Sequence, residues 1–294
     1  MYAVCGASGH TGRIIAESLL KQNKKVRVLG RDKAKLQDLI NLGAEAYTGS
    51  LEDYDFVKRA FKGIEAAYLM IPPNMAVDDF RAYQKKVGKN LADAVNENGV
   101  NYVVVLSSIG GDLNAGTGPV LGLHWLEEEL NKIDGLNALY LRPTFFMENL
   151  FGNIPVIKGF GVNSMPAPGD APMTMIATQD IGNYAAKRLL ALDFSGKDFQ
   201  DLLGPREITM NEITQALGRA IGKPDLPYVS VTYDDLKQGM LAGGIREGMV
   251  DLYVELYKGF ADGTVKPGRP RSKESTTPTT IDEFSKTFAA VYNN

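Results

Sequence analysis

The sequence predicts an α/β fold: a doubly wound parallel sheet with helices on both faces, followed by a smaller, mostly helical region. Three observations carry this. Short apolar runs alternate with amphipathic stretches through the first half of the 294 residues, and such alternation implies right-handed crossovers and parallel strands. A glycine-rich turn, GASGHTG at 6–12, joins the first apolar run to the first amphipathic one. The run NYVVVLSS at 101–108 is dense enough in β-branched residues to be a central strand buried on both faces.

The elements follow in order. YAVC (2–5) is the first strand, and RIIAESLLKQ (13–22) puts Ile14, Ile15, Leu19 and Leu20 on one helical face. KVRVLG (25–30) is the second strand, and residues 33–42 carry Leu36, Leu39 and Ile40 at helical spacing before Gly43 stops the helix. AEAYTG (44–49) is a short third strand, and DYDFVKRAF (53–61) a helix that Gly63 ends. EAAYLMI (65–71) is the fourth strand, closed by Pro72 and Pro73, and a helix over 76–98 ends at Asn98–Gly99. After the fifth strand come the helix GPVLGLHWLEEELNKI (118–133) and the sixth strand LNALYLRP (136–143).

Beyond Pro143 the pattern changes. Residues 151–173 are rich in Gly, Pro and Asn and read as loop with short strands. TQDIGNYAAKRLLAL (178–192) is helix with Thr178 as N-cap, and DFQDLLG (198–204) is one more strand. ITMNEITQALGRAIG (208–222) is an amphipathic helix starting near Thr209 or Asn211, with further helices at 234–241 and 246–260. SKESTTPTT (272–280) is a polar linker, and Thr280 with Glu283 forms a capping box for a last short helix. The expected division is a sheet domain over 1–150 and a mostly small substrate-binding region over 151–294, with residues around 178–204 returning to the sheet.

Composition narrows the functional classes. Hydrophobic content of 44% and charged content of 23% suit a globular protein with a substantial core. A net charge of −3 with mixed signs gives no nucleic-acid footprint. No run of eighteen apolar residues exists, and no signal peptide precedes Met1–Tyr2, so a cytoplasmic location is expected. Two histidines and one cysteine argue against a zinc centre, and Cys5 reads as a small core residue of the first strand.

Gly6, Gly9 and Gly12 stand three apart between a strand and a helix, in the first turn of the predicted sheet. A helix N-terminus there offers unpaired N–H groups and a positive dipole end, both suited to the pyrophosphate of a dinucleotide. The second strand ends in VLGRDKAKL. Arg31 is the first polar side chain past it and Lys35 lies one turn on, which favours the 2′-phosphate of NADP(H) over the ribose hydroxyls of NAD(H). Asp32, the competing acid, sits one residue late and caps the next helix on this reading.

Taken together, GASGHTG, GRDKAKL, TGSLEDYDFVKRAFKGIEAAYLMIPP, VVVLSSIGG, LRPTFFMENL and TQDIG give the chain a resemblance to the NmrA-like family of atypical short-chain dehydrogenase/reductase proteins. It runs over nearly the whole length. The resemblance implies a Rossmann fold that binds NADP(H), as in NADPH-dependent quinone, azo and triphenylmethane dye reductases, and in regulators that bind the dinucleotide without turnover. It implies that Gly6, Ser8, Gly9, His10, Thr11 and Gly12 hold the pyrophosphate and that Arg31 and Lys35 hold the 2′-phosphate. It places Ser50 and Leu51 near the adenine, Ile71, Pro72 and Pro73 near the ribose and nicotinamide, and Pro143, Thr144, Phe145 and Phe146 beside the ring.

One departure bears on chemistry. Short-chain dehydrogenases use a Tyr-x-x-x-Lys pair on the helix after the fifth strand, where this chain reads GLHWLEEEL. Tyr54/Lys58 and Tyr233/Lys237 match the spacing but lie elsewhere and read as solvated helix faces. Ordinary alcohol dehydrogenation is therefore disfavoured. Near the expected nicotinamide stand Ser107, Ser108, His124 and Asn149. Ser107 is a cofactor-binding and catalytic candidate at the end of a central strand. His124 has two readings, a proton donor or a partly buried imidazole beside Trp125 bonded to backbone. Phe146, Asn149 and Ser108 are the substrate-contact candidates, and Glu127, Glu128 and Glu129 read as a solvated face.

The expected activity is hydride transfer from NADPH to a flat, electron-poor acceptor such as a quinone, azo compound or dye, which needs little help from an acid. A redox sensor acting on a protein partner is the alternative, and isomerase or epimerase work a third. A small, flat aromatic substrate is the expected partner, with no membrane.

Overall fold

The period of each segment decides its element. In the computed structural model, which describes residues 1–294, the first half comprises β1 (Tyr2–Val4), α1 (His10–Lys21), β2 (Val26–Gly30), α2 (Gln37–Asn41), β3 (Glu45–Thr48), α3 (Tyr54–Ala60), β4 (Ala66–Leu69), α4 (Phe80–Glu97), β5 (Tyr102–Leu106), α5 (Leu121–Asn131) and β6 (Asn137–Pro143). The second half adds β7 (Phe145–Phe146), α6 (Ile154–Phe160), β8 (Asn163–Met165), β9 (Pro172–Ile176), α7 (Thr178–Ala191), β10 (Lys197–Leu202), β11 (Glu207–Thr209), α8 (Met210–Ala220), β12 (Tyr228–Ser230), α9 (Tyr233–Ala242), α10 (Glu247–Ala261) and α11 (Ile281–Asn293).

Seven strands form one parallel sheet in the order β10-β6-β5-β4-β1-β2-β3. This is the doubly wound arrangement, and its strand order reverses between β1 and β4. The strand period of two buries β5 on both faces. Val103 and Val105 join the core under α3, α4 and α5, while Val104 joins the opposite core with Ile15 and Leu19 of α1 and Ile181 and Leu189 of α7. Helices α1 and α7 pack closely because Gly182 faces the Ile14 side chain, where a β carbon would stand 2.9 Å from that of Ile14. A third core joins the remaining elements, with Met147, Leu150 and Ile157 against Ile213 and Leu217 of α8 and Phe284 and Phe288 of α11.

Several expectations are corrected. The stretch 151–173 is not only loop and strand, since it contains α6, preceded by a 3-10 run over Met147–Asn153. Pro155 sits in the first turn of α6, where its missing N–H costs nothing. The helix expected over 76–98 starts at Phe80, where the Asp79 carboxylate accepts the Ala82 N–H at 2.9 Å. Thr178 is not an N-cap: Ala177 holds that position, and the Glu148 carboxylate accepts both the Thr178 N–H (2.9 Å) and its hydroxyl (2.5 Å). The cap arrives from thirty residues away, which local pattern does not reveal. Thr209 rather than Asn211 caps α8 through a box with Glu212. Thr280 and Glu283 form their box, on a helix of 13 residues rather than a short one. The linker before it is held, with buried Asp180 accepting the Thr279 N–H at 2.9 Å.

Candidate functional site

The C-terminal edge of a parallel sheet at its reversal point is a crevice, and the glycine turn lies there. Backbone bonds from Cys5 N–H to Tyr68 O (3.0 Å) and Ala7 N–H to Leu29 O (3.1 Å) seat the turn on the two neighbouring strands. The three glycines do different work. Gly6 has φ +63° and lies against Met70, where a β carbon would stand 2.7 Å from Sδ. Gly12 packs on the Gly6 carbonyl with no room for a side chain, so it closes the turn. Gly9 precedes α1 and is exposed with Ser8 and His10. The Gly9 N–H bonds to Gly6 O and the Arg13 N–H to Gly9 O, which leaves the N–H groups of His10, Thr11 and Gly12 without backbone partners. The first turn carries no acid. Free N–H groups at a positive dipole end, reached across a glycine, suit a phosphate. The Thr11 hydroxyl lies 2.9 Å from the hydroxyl of buried Tyr68, which ties the first turn of α1 to β4.

At the end of β2, Arg31 and Lys35 are both exposed. The acids around them are engaged. Asp32 accepts the Ala34 N–H at 2.9 Å, capping a turn, and Asp38 pairs with Arg13 at 3.3 Å. Arg13 also donates to the Lys35 carbonyl at 2.9 Å, fixing the turn against α1. Neither Arg31 nor Lys35 forms an ion pair, so both cations stay available to an incoming anion.

Ser50 accepts the Glu52 N–H at 3.2 Å. Leu51 is buried and its carbonyl accepts from Asn90 at 2.9 Å. Past β4, Ile71 is buried, Pro73 is exposed, and the Pro72 carbonyl accepts the Tyr83 hydroxyl at 2.9 Å. Burial pushes that hydroxyl up to about 12, so it stays a donor.

The ends of β5 and β6 meet in a buried polar cluster. Ser107 is 2% exposed, Glu127 4% and Arg142 6%. Ser107 Oγ donates to Glu127 Oε1 at 2.5 Å, Arg142 Nη2 donates to Glu127 Oε2 at 2.6 Å, and Nε to Oε1 at 3.2 Å. Arg142 also reaches Asp112 at 3.4 Å, and its guanidinium stacks 4.2 Å over the Phe199 ring. This corrects the reading of Glu127 as solvated; Glu128 alone of the three acids is fully exposed. The signal was present, because Glu127 lies four residues after Leu123 and three before Leu130, on the apolar stripe of α5. Arg142 carries no such signal, standing in a strand whose other residues are mostly apolar.

His124 lies half-buried above this cluster, with Nδ1 3.0 Å from the Gly111 carbonyl and Nε2 3.5 Å from Glu128 Oε1. A carbonyl can only accept, so Nδ1 carries the hydrogen. Gly111 fits under it, since a β carbon there would stand 2.6 Å from Ser107 Oγ and 2.7 Å from Glu127 Oε1. Ser108 is half-buried and its carbonyl accepts the Gly111 N–H at 2.9 Å. Pro143 and Thr144 are buried, and the Thr144 hydroxyl donates to the Thr174 carbonyl at 2.9 Å. Phe145 and Phe146 are half-buried on β7, and Asn149 is exposed. The stray Tyr-x-x-x-Lys matches sit on α3 and α9, where Lys58 pairs with Glu97 at 2.6 Å and Lys237 with Asp251 at 2.9 Å.

The fold and this crevice define a protein of the Rossmann-like α/β class. More narrowly, the chain belongs to the NmrA-like family, whose model matches residues 2–285, as the motifs implied. It is 28% identical to the NAD(P)H azoreductase of Xenophilus azovorans over 303 residues, spanning 99% of each chain. Its fold superposes on the Escherichia coli NADPH-dependent quinone oxidoreductase complexed with NADPH at a TM-score of 0.82 and 22% identity, covering 98% of this chain and 99% of that one. For the Citrobacter sp. triphenylmethane reductase the TM-score is 0.80 at 18% identity, over 98% of each chain. At such identities these two likenesses establish the fold alone. No helix is long and apolar enough to cross a membrane.

Proposed function

We propose that this chain is an NADPH-dependent oxidoreductase that delivers hydride to a flat, electron-poor small molecule such as a quinone, an azo compound or a dye. The observation that carries the reading is the crevice itself. Free N–H groups at the start of α1 face the same edge of the sheet as an uncommitted Arg31, which fits a pyrophosphate and a 2′-phosphate. The azoreductase and the quinone oxidoreductase similar to this chain, both named for nicotinamide reductants, support the same class.

On this reading the backbone of Ser8 to Gly12 binds the pyrophosphate. Arg31 and Lys35 select the extra phosphate. Ile71 to Pro73 and Pro143 to Phe145 flank the nicotinamide and exclude water from one of its faces. The bound cofactor supplies a hydride donor. The pair Glu127–Arg142 holds the ends of β5, β6 and α5 in register, so that Ser107, Ser108 and the Gly110–Gly111 turn keep their places beneath the ring. Ser107 commits its hydrogen to Glu127, and His124 commits that of Nδ1 to Gly111. Both side chains therefore orient the floor of the site.

The test is titration of the purified protein with NADPH, NADP, NADH and NAD, followed by NADPH oxidation against a panel of quinones, azo compounds and cationic dyes. Tight NADPH binding with turnover is expected. Tight binding without turnover on any acceptor would replace this reading with the redox-sensing one.

A further inference from the structure

The crevice has one further wall that the motifs did not assign. Helix α10 (Glu247–Ala261) lies across the ends of the sheet, its Leu252 carbonyl packed on Gly118 with no room there for a β carbon. Met249 and Leu252 are buried in the core beneath α3, α4 and α5, and Glu255 pairs with Arg81 of α4 at 2.9 Å. The helix is thus fixed to the sheet domain. Tyr253 and Tyr257 stand one helical turn apart on it, on one face. Tyr253 packs on the sheet-domain core and Tyr257 on the core of the smaller lobe, so the pair bridges the two cores. The Tyr257 ring lies 6.3 Å from that of Phe145, tilted by 44°, beside the segment expected to flank the nicotinamide.

Both tyrosines are half-buried. Neither hydroxyl has a hydrogen-bond partner in the protein, yet neither is sealed from solvent, unlike the unpaired Tyr54 hydroxyl. Each hydroxyl therefore has its hydrogen free for water or for a bound molecule. Burial pushes both hydroxyls above the usual phenol range, so they remain protonated donors throughout the working pH range. By contrast, Ser107 and His124 have already committed their hydrogens.

We propose that Tyr257, with Tyr253 beside it, donates a hydrogen bond to an oxygen of a carbonyl-bearing acceptor, and so favours quinones over cationic dyes at this site. The inference rests on the reductase reading above. The quinone gains a hydride, two electrons and one hydrogen nucleus, as the nicotinamide is oxidised. Negative charge develops on the quinone oxygen, Tyr257 Oη–H stabilises it, and water supplies the proton that completes the hydroquinone. A cationic triphenylmethane dye takes hydride at its central carbon, becomes neutral, and develops no oxyanion.

That difference supplies the test. The full chain and its Tyr257→Phe variant are assayed for NADPH oxidation with menadione, a quinone, and with crystal violet, a cationic dye. Binding of menadione to the NADP-loaded protein is measured alongside by calorimetry. The variant removes a hydroxyl with no partner in the protein, so folding is preserved. Expected are a fall in menadione turnover of about tenfold or more, toward the ~10²–10³ of a sealed oxyanion donor, weaker menadione binding, and unchanged crystal violet turnover. An equal fall with both acceptors, or no fall with menadione, overturns the role of Tyr257 while leaving the reductase reading intact. A wild-type protein that turns over neither acceptor overturns both.

Discussion

At the scale of single residues, charge and burial decide more than residue type. Arg31 is exposed beside acids that are already occupied, so its charge is available. A charge-assisted hydrogen bond to a phosphate is worth roughly 1.5–3 kcal/mol. Arg31→Ala should therefore weaken NADPH binding by about tenfold or more and NADH binding little; titration of both checks this, and equal loss for the two would remove the 2′-phosphate argument. Asp201 shows the opposite situation. It is 1% exposed, its Oδ1 has no partner, and its Oδ2 accepts the Arg269 N–H at 2.9 Å. Burial pushes its carboxyl up. A carboxyl raised in the folded state binds its proton more tightly there than in the unfolded chain, so stability falls as pH rises from the unfolded value, about 4, to the folded one. Urea unfolding across pH should show the wild type losing stability relative to Asp201→Asn as pH rises through that window. A pH-independent difference would contradict the assignment. Glu127 taught a related lesson. Its neighbours in sequence are acids, but its position on the α5 stripe buries it, and Arg142 makes that burial tolerable.

At the scale of elements, local chemistry sets most helix ends, though the Asp79 cap of α4 lies inside the stretch expected to be helical. The box expected at Thr280 formed, and the structure adds boxes at Thr209 with Glu212 and at Thr232 with Asp235. The start of α7 was misread because its cap, Glu148, comes from another segment. Helix α6 was missed because Gly and Pro dominate its surroundings, while Ile154 and Ile157, which hold it, find their partners only in the third core. On the proposed reading, cofactor binding turns on the start of α1. A β carbon at Gly9 meets only the Gly6 carbonyl, at 3.3 Å, so the fold tolerates a side chain there better than an incoming phosphate does. Gly9→Val should keep most of its thermal stability and lose measurable NADPH affinity. Unchanged affinity would mean that the glycine serves the turn alone.

At the scale of the molecule, the proposed site joins segments far apart in the chain: the turn before α1 and the ends of β4, β5 and β6, with α10 added by the further inference. A ligand bound across them stabilises the folded state by mass action. NADPH at about 100 times its dissociation constant should add ~2.7 kcal/mol, seen as a rise in Tm, and NADH at equal concentration should add less. No rise with either would argue against a dinucleotide site.

The sequence by itself determined the first six strands and the helices between them, the glycine turn and the cationic end of β2. Each depends on residues near in sequence, because strand and helix periods, turn glycines and the first side chain past a strand act over a few positions. Tertiary structure alone decided that Glu127 and Arg142 are paired, that Glu148 caps α7, and that the hydroxyls of Tyr253 and Tyr257 are left without partners in the protein. These depend on which distant surfaces meet, and the free energy of burying a polar group is set by the partner it finds there, which no local pattern specifies.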